Sequence, residues 1–207
     1  MIRRRLLQQA GGGGEFVDLG LPSGILWATG NLVKDAQGNY SIGAETDWGT
    51  YISWGNIIGH NEGEGYNFDQ ATYDGTPGKQ VSTNIPSTDA AHDICFARLG
   101  APWHLPTKED FQELYDNTDS EWVADYNGTG VAGRKFMKKS DHSVYVFFPA
   151  SGRYYGTTLA YRGAYGLYWS ASFYSATSAY YLYFFSSSVY PQINNYRRYG
   201  FTVRPVQ

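Results

Sequence analysis

With one cysteine in 207 residues, the chain has no partner for an internal disulfide and too few thiolates for a metal cluster of its own. Cys95 lies in Asp89-Ala-Ala-His-Asp-Ile-Cys-Phe-Ala-Arg-Leu99, an amphipathic stretch that reads as a helix ending at Gly100, where a core thiol is expected. Long apolar runs are also missing. Nothing approaches the roughly 20 consecutive apolar residues of a helical membrane span, so a soluble globular protein with no membrane span is expected. The segment from Met1 to Ala10 has the basic beginning of a secretory signal, but only Leu6 and Leu7 stand where its apolar core should run. Secretion by that route is not supported. Gly11 to Gly14 have no side chains to pack and read as a flexible joint. Residues 1–14 are therefore expected to be a basic, glycine-rich tail, either an unstructured end or a docking peptide. Residues 15–207 are expected to form one domain, since a chain of this size buries roughly 70% of its unfolded surface in a single core.

Signatures of catalysis are absent too. His60, His92, His104 and His142 show no H-E-x-x-H spacing. There is no glycine-rich phosphate loop and no G-x-S-x-G nucleophile turn. The expectation is a protein that is not an enzyme and holds no metal or cofactor. Glu45, Asp47, Glu62 and Glu64 fall in polar loops and offer calcium-type oxygens, but a solvated loop explains them as well.

Aromatics make up 17% of the chain, cut into short runs by Gly, Asn, Asp and Pro, a pattern of strands and turns. Strands are predicted around Ile25–Ala28, Thr50–Trp54, Lys135–Lys138 and Val144–Phe148, with three or four more before residue 207. Two helices are predicted. One is the Cys95 segment, capped by Ser87 or Thr88. The other starts after Pro106 on a capping box, Thr107 to Asp110, and turns Phe111, Leu114 and Tyr115 to the core before ending near Asn117. Between Gly55 and Ile85 a long surface loop is expected. Together these give an α+β class, two helices packed on short antiparallel sheets with long loops.

The last third has almost no charge of one sign. Residues 151–207 contain 12 of the 19 tyrosines and no Asp, Glu, Lys or Met. At average usage of about 25% charged residues, roughly 14 would be expected there; five are found, all Arg. Residues 1–150 are net −8 and the remainder +5. Tyr, Ser, Gly and Asn with a few Arg is the composition of antibody combining sites, where tyrosine gives rigid contact area with a hydroxyl at its tip. Tyrosine also favours sheets on its own account. Within Ala179–Ser187, however, period two puts Tyr180, Leu182 and Phe184 on one face, and Tyr181, Tyr183, Phe185 and Ser187 on the other. If Leu182 and Phe184 face the core, the other set forms an exposed aromatic stripe, the mark of an interaction site. Arginines among tyrosines also suit single-stranded nucleic acid, but the acidic remainder of the chain opposes that, and no nucleic-acid partner is expected.

Six segments carry a resemblance: Phe16-Val-Asp-Leu-Gly-Leu-Pro-Ser-Gly-Ile-Leu-Trp-Ala28, Gly49-Thr-Tyr-Ile-Ser-Trp-Gly55, Trp103-His-Leu-Pro-Thr-Lys-Glu-Asp-Phe-Gln-Glu-Leu114, Phe148-Pro-Ala-Ser-Gly152, Tyr168-Trp-Ser170 and Gly200-Phe-Thr-Val-Arg-Pro-Val206. Over residues 15–206 they follow the order of the Fibrobacter succinogenes major paralogous domain, which the chain resembles. That family looks like a branch of the C-type lectin fold and includes target proteins of diversity-generating retroelements, in which template adenines are replaced so that Asn codons become many others. The resemblance implies a C-type-lectin-like domain with a variable ligand-binding region over about 151–207. Replacing both adenines of AAC or AAT never gives Lys, Glu, Gln, Met or Trp. Lys, Glu and Met are missing from residues 151–207, where Trp169, Gln192 and Gln207 read as fixed scaffold; Asp is reachable yet also missing.

By motif offset, the resemblance implies diversified binding positions at Tyr154, Tyr161, Tyr165, Tyr174, Ser178, Tyr181, Tyr183, Phe185, Ser188, Tyr190, Ile193, Asn195, Tyr196 and Tyr199. Trp27, Trp54, Trp103, Trp169, Phe201 and Val203 read as scaffold. The Glu-Pro-Asn and Trp-Asn-Asp loops of calcium-dependent sugar sites do not occur, and the cysteine chemistry of formylglycine-generating enzymes on related folds is not matched by Cys95 alone. The function implied is binding of a protein or glycan receptor on a cell surface by a phage or prophage tail component, with residues 1–14 as the link to a tail fibre. A fixed bacterial surface adhesin or lectin and a structural virion component are the alternatives.

Overall fold

Short β-favouring runs separated by turn residues give short strands, and the computed structural model of the protein, which describes residues 16–70 and 81–207, is built mainly from them. In chain order the elements are β1 (Phe16–Val17), β2 (Trp27–Ala28), β3 (Leu32–Lys34), β4 (Tyr40–Ile42), α1 (Ile94–Leu99), α2 (Lys108–Asn117), β5 (Thr118–Val123), β6 (Gly133–Lys138), β7 (Asp141–Pro149), β8 (Arg153–Tyr155), β9 (Thr158–Ala160), β10 (Gly166–Phe173), β11 (Ser178–Phe185) and β12 (Ser188–Tyr196). The sheets are antiparallel: β5-β6-β7 and β10-β11-β12 have three strands, while β1-β2, β3-β4 and β8-β9 have two. The tail assigned to residues 1–14, and residues 71–80 of the expected long loop, lie outside the described residues. Among the described residues no helix is long and apolar enough to cross a membrane.

This corrects the α+β, C-type-lectin-like class expected from the sequence. Five small antiparallel sheets dominate, and the two helices are six and ten residues long. The helix expected from Ser87 or Thr88 shrinks because side chains capture its amides. The Asp89 carboxylate accepts from Ala91 N–H (2.9 Å), which holds a turn, and Asp93 becomes the N-cap by accepting from Phe96 N–H (3.0 Å). Only α2 starts where predicted, on the Thr107–Asp110 capping box; Phe111 and Leu114 are buried, but Tyr115, expected on the same core face, is 43% exposed. Thr50–Trp54 is not a strand; single bridges tie Tyr51 to His60 and Ile52 to Phe201.

The β10-β11-β12 sheet organises the core because apolar layers cover both its faces. Leu167, Trp169 and Tyr181 join Leu32, Ile52, Trp54, Phe201 and Val203 on one side. Tyr168, Leu182 and Phe184 join Phe111, Leu114, Phe136 and Phe148 on the other. Period-two alternation in β11 is therefore apolar on both faces, as in a strand buried on both sides. Packing is close enough that Gly166 has no room for a side chain: a Cβ there would stand 2.0 Å from the Phe184 ring.

Residues 200–206 stitch these layers together. Ile52 N–H donates to Phe201 carbonyl (2.9 Å), Trp169 N–H to Thr202 (3.1 Å), Leu32 N–H to Val203 (3.2 Å) and His104 N–H to Val206 (2.9 Å). Within the same segment the fully buried Arg204 donates to the carbonyls of Ala28 (3.0 Å) and Phe147 (2.6 Å), and its guanidinium lies 4.5 Å from the Phe148 ring centre. Hydrogen bonds and ring contact compensate the desolvation of that cation.

Candidate recognition surface

Along β11, one face runs out of core before the strand ends. Tyr181 is 4% exposed because Trp169 and Phe201 pack on its ring, at 5.9 and 4.9 Å between centroids. Tyr183 and Phe185, two and four residues on, are half-buried. Tyr190, across the Ser186-Ser187 turn, is 46% exposed. The exposed stripe expected at Tyr181, Tyr183 and Phe185 thus begins one residue pair later, with Tyr181 as its floor.

A bulge aims Tyr190 at this face. Tyr181 pairs with Ile193 but Tyr183 with Tyr190, so β12 carries one extra residue between these two pairs. Pro191, which has no N–H to give a ladder, sits in that irregular stretch of the edge strand β12. The shift puts the Tyr190 ring 5.7 Å from Tyr183 with 14° between their planes. Without it, Tyr190 would point to the opposite face.

The turn before β10 supplies the next rings. Tyr161 adopts φ 63°, a left-handed conformation that costs a non-glycine residue roughly 1–2 kcal/mol. Its ring is stacked 4.7 Å from Tyr165, and Tyr165 stands edge-on to Tyr183 at 5.6 Å. Arg153 on β8 lies over both Tyr161 (5.6 Å) and Tyr199 (4.9 Å), and Tyr199 meets Tyr155 and Tyr196 at 5.4 and 5.7 Å. Burial pushes the Tyr181 phenol up, and the neighbouring Asn195 side chain opposes that shift. Arg153, Tyr161, Tyr165, Leu167, Tyr181 and Tyr183 line a cleft of about 250 Å³.

Ten of the 14 expected positions thus meet on one continuous surface or its floor: Tyr161, Tyr165, Tyr181, Tyr183, Phe185, Tyr190, Ile193, Asn195, Tyr196 and Tyr199. Ser188 is half-buried at the hairpin, opposite Phe185. Three positions lie apart. Tyr154 packs on Tyr51 (4.9 Å) and Phe68 (5.2 Å) in a satellite core. Tyr174 sits at the far end of the sheet, edge-on to Tyr180 on the other face, and Ser178 is buried beside it at the start of β11. Arg153, Tyr155 and Leu167 belong to the surface but escaped the sequence reading. The signal for two of them was present: if Tyr154 points inward on β8, period two turns Arg153 and Tyr155 the other way.

Crowding marks the phenols. Burial, then the neighbouring hydroxyls of Tyr165, Tyr181 and Tyr190, pushes Tyr183 from the ordinary 10.0 up to about 12. Burial also pushes Tyr51 up to about 12, against the hydrogen bond and charge of Arg162. Both groups hold their protons more tightly folded than unfolded, so their contribution is fully present below pH about 10 and is lost as pH rises toward about 12. Denaturant unfolding across that window is expected to show a steep fall in stability, shallower in Tyr183→Phe. An equal slope in the two proteins would remove Tyr183 as a source.

Among the described residues no three His, Cys, Asp or Glu side chains come together to hold a metal ion. Cys95 is wholly buried and its thiol is pushed well above its ordinary range by burial, a poor setting for a nucleophile. A family described as a domain of unknown function (DUF8237) matches residues 123–206, which span the end of β5 through the stitching segment and so hold the whole surface. No curated protein and no solved structure matches the chain.

Proposed function

We propose that this is a ligand-binding protein, not an enzyme, which uses the β8–β12 aromatic surface to recognise a receptor on a cell. We further propose that the surface is diversified by adenine-directed mutagenesis and serves as the receptor-binding tip of a phage or prophage tail. The observation that carries the reading is the unbroken run of ring contacts from Phe185 and Tyr190 through Tyr165 and Tyr161 to Arg153, Tyr199 and Tyr196. Such a run is unusual on the outside of a protein. Rigid rings with polar tips bind at little cost in rotamer entropy, and a sheet fixed on both faces presents them already ordered. The resemblance to retroelement target proteins supplies the diversification.

The reading is tested by sequencing codons 151–207 across many cells or phage particles of one population. Substitutions are expected to concentrate at the exposed and half-buried surface positions and to follow template adenines. Large side chains should persist at the buried Tyr154, Tyr181 and Tyr199. An invariant region would make the protein a fixed adhesin or a structural component instead.

A further inference from the structure

The five arginines after residue 150 have different company. Arg162 pairs with Glu62 and donates to the Tyr51 hydroxyl (3.2 Å), and Arg198 lies 3.3 Å from Asp69. Arg197 and Arg204 are buried and donate to backbone carbonyls. What sets Arg153 apart from Arg162 and Arg198 is that no carboxylate among the described residues comes within ion-pair distance; its buried Nε has no hydrogen-bond partner, a feature it shares with Arg162. Among the described residues its guanidinium lies against the rings of Tyr161 and Tyr199, at the wall of the 250 Å³ cleft.

We infer that this cleft binds a sugar ring bearing a carboxylate. The inference rests on the proposal that the surface is a recognition site. A guanidinium offers a planar fork of donors that matches a carboxylate with two parallel hydrogen bonds. The volume lies just below the roughly 300–1,000 Å³ of sites for larger small molecules, which limits the occupant to about one ring. Around the cation stand the phenols of Tyr161, Tyr165, Tyr181 and Tyr183. Tyr161, Tyr165 and Tyr183, exposed or half-buried, give apolar ring surface for the C–H face of a pyranose, Tyr181 forms the floor, and the phenol hydroxyls both donate and accept for the polyol edge. The side-chain carboxylate of a protein partner would satisfy Arg153 and leave those hydroxyls without matching groups.

The test titrates the full chain with D-glucuronate, D-glucose and an acidic hexapeptide, in the wild type, Arg153→Gln and Arg153→Lys, with folding of each variant verified by thermal unfolding. Cell binding of the same proteins, and of a Tyr190→Ala/Tyr196→Ala variant outside the cleft, is measured in parallel. Glucuronate is expected to bind at least ten-fold tighter than glucose and the peptide, less so as salt is added. Arg153→Gln should lose the preference and Arg153→Lys should keep part of it. Equal binding of the two sugars, a preference that survives Arg153→Gln, or tighter binding of the peptide overturns the inference. If cells are bound by wild type and Arg153→Gln alike, lost in Tyr190→Ala/Tyr196→Ala, and no glucuronate preference is seen, the surface reading stands and the cleft inference falls. Glucuronate preference in a protein that binds no cells means the reverse.

Discussion

Exchanging Tyr161 for Asn and both Tyr183 and Tyr190 for Ala in one chain is expected to weaken receptor binding by about 100-fold or more and leave the fold in place. The three rings are the exposed and half-buried centre of the surface, joined through Tyr165. Buried aromatic anchors at interfaces each cost about 2 kcal/mol or more when truncated, though such losses do not add. The folded state should lose little. Tyr161 and Tyr190 are 50% and 46% exposed, and Asn tolerates the left-handed backbone at 161 better than tyrosine does. A cost of about 1–2 kcal/mol, mostly from Tyr183, lowers Tm by roughly 3–8 °C in a protein of this size. Binding to receptor-bearing cells and thermal unfolding, measured on the same sample, separate the two effects. Undiminished binding would show that the ligand is taken elsewhere.

Trp169→Ala is expected to do the opposite, removing the fold and with it any function. Its ring is wholly buried, stacked 4.1 Å from Phe201, and its indole N–H donates to the Ile52 carbonyl at 2.9 Å. Truncating a core tryptophan costs about 3–5 kcal/mol; the Ile52 carbonyl loses the indole but keeps its bond from Phe201 N–H (3.1 Å). Against a typical total of about 5–15 kcal/mol, the variant should be largely unfolded or melt at least about 10 °C lower. Circular dichroism during heating reads this directly; a variant as stable as wild type would mean the two core layers do not depend on the sheet between them. Tyr181 belongs with Trp169 in this respect. Changing it would mix loss of fold with loss of binding, which is why the binding experiment leaves it intact.

Local features were the legible ones. Thr107 and Asp110 announced α2, and Phe111 and Leu114 its buried face, because a capping box and a helical period act within four residues. In β11, Leu182 and Phe184 lie buried on one face as period two suggested. Tyr181 did not follow, since its cover comes from Phe201, twenty positions on, and Trp169, twelve back. The same holds for Tyr154, whose partners Tyr51 and Phe68 lie about a hundred and about ninety positions earlier. The direction of Tyr190 depends on a one-residue bulge that no composition reveals. The fold class went wrong for a related reason. Strands two or three residues long leave almost no periodic signal, whereas turn-forming stretches such as Pro86–Asp93 look helical until their aspartates are seen to hold the amides.

The segment from Gly200 to Val206 bears on how the molecule is made. Its bonds to residues 28, 32, 52 and 104 close loops of about 100 to about 180 residues, and pairings so distant in sequence make folding slow. A growing chain cannot close these layers on the ribosome until residue 206 has emerged, by which time every position from 151 to 199 has been synthesised. A change anywhere in that stretch is therefore judged together with the core it must help to complete. A surface variant that spoils the central sheet is expected to give an unfolded chain open to proteolysis rather than a folded molecule with a dead site.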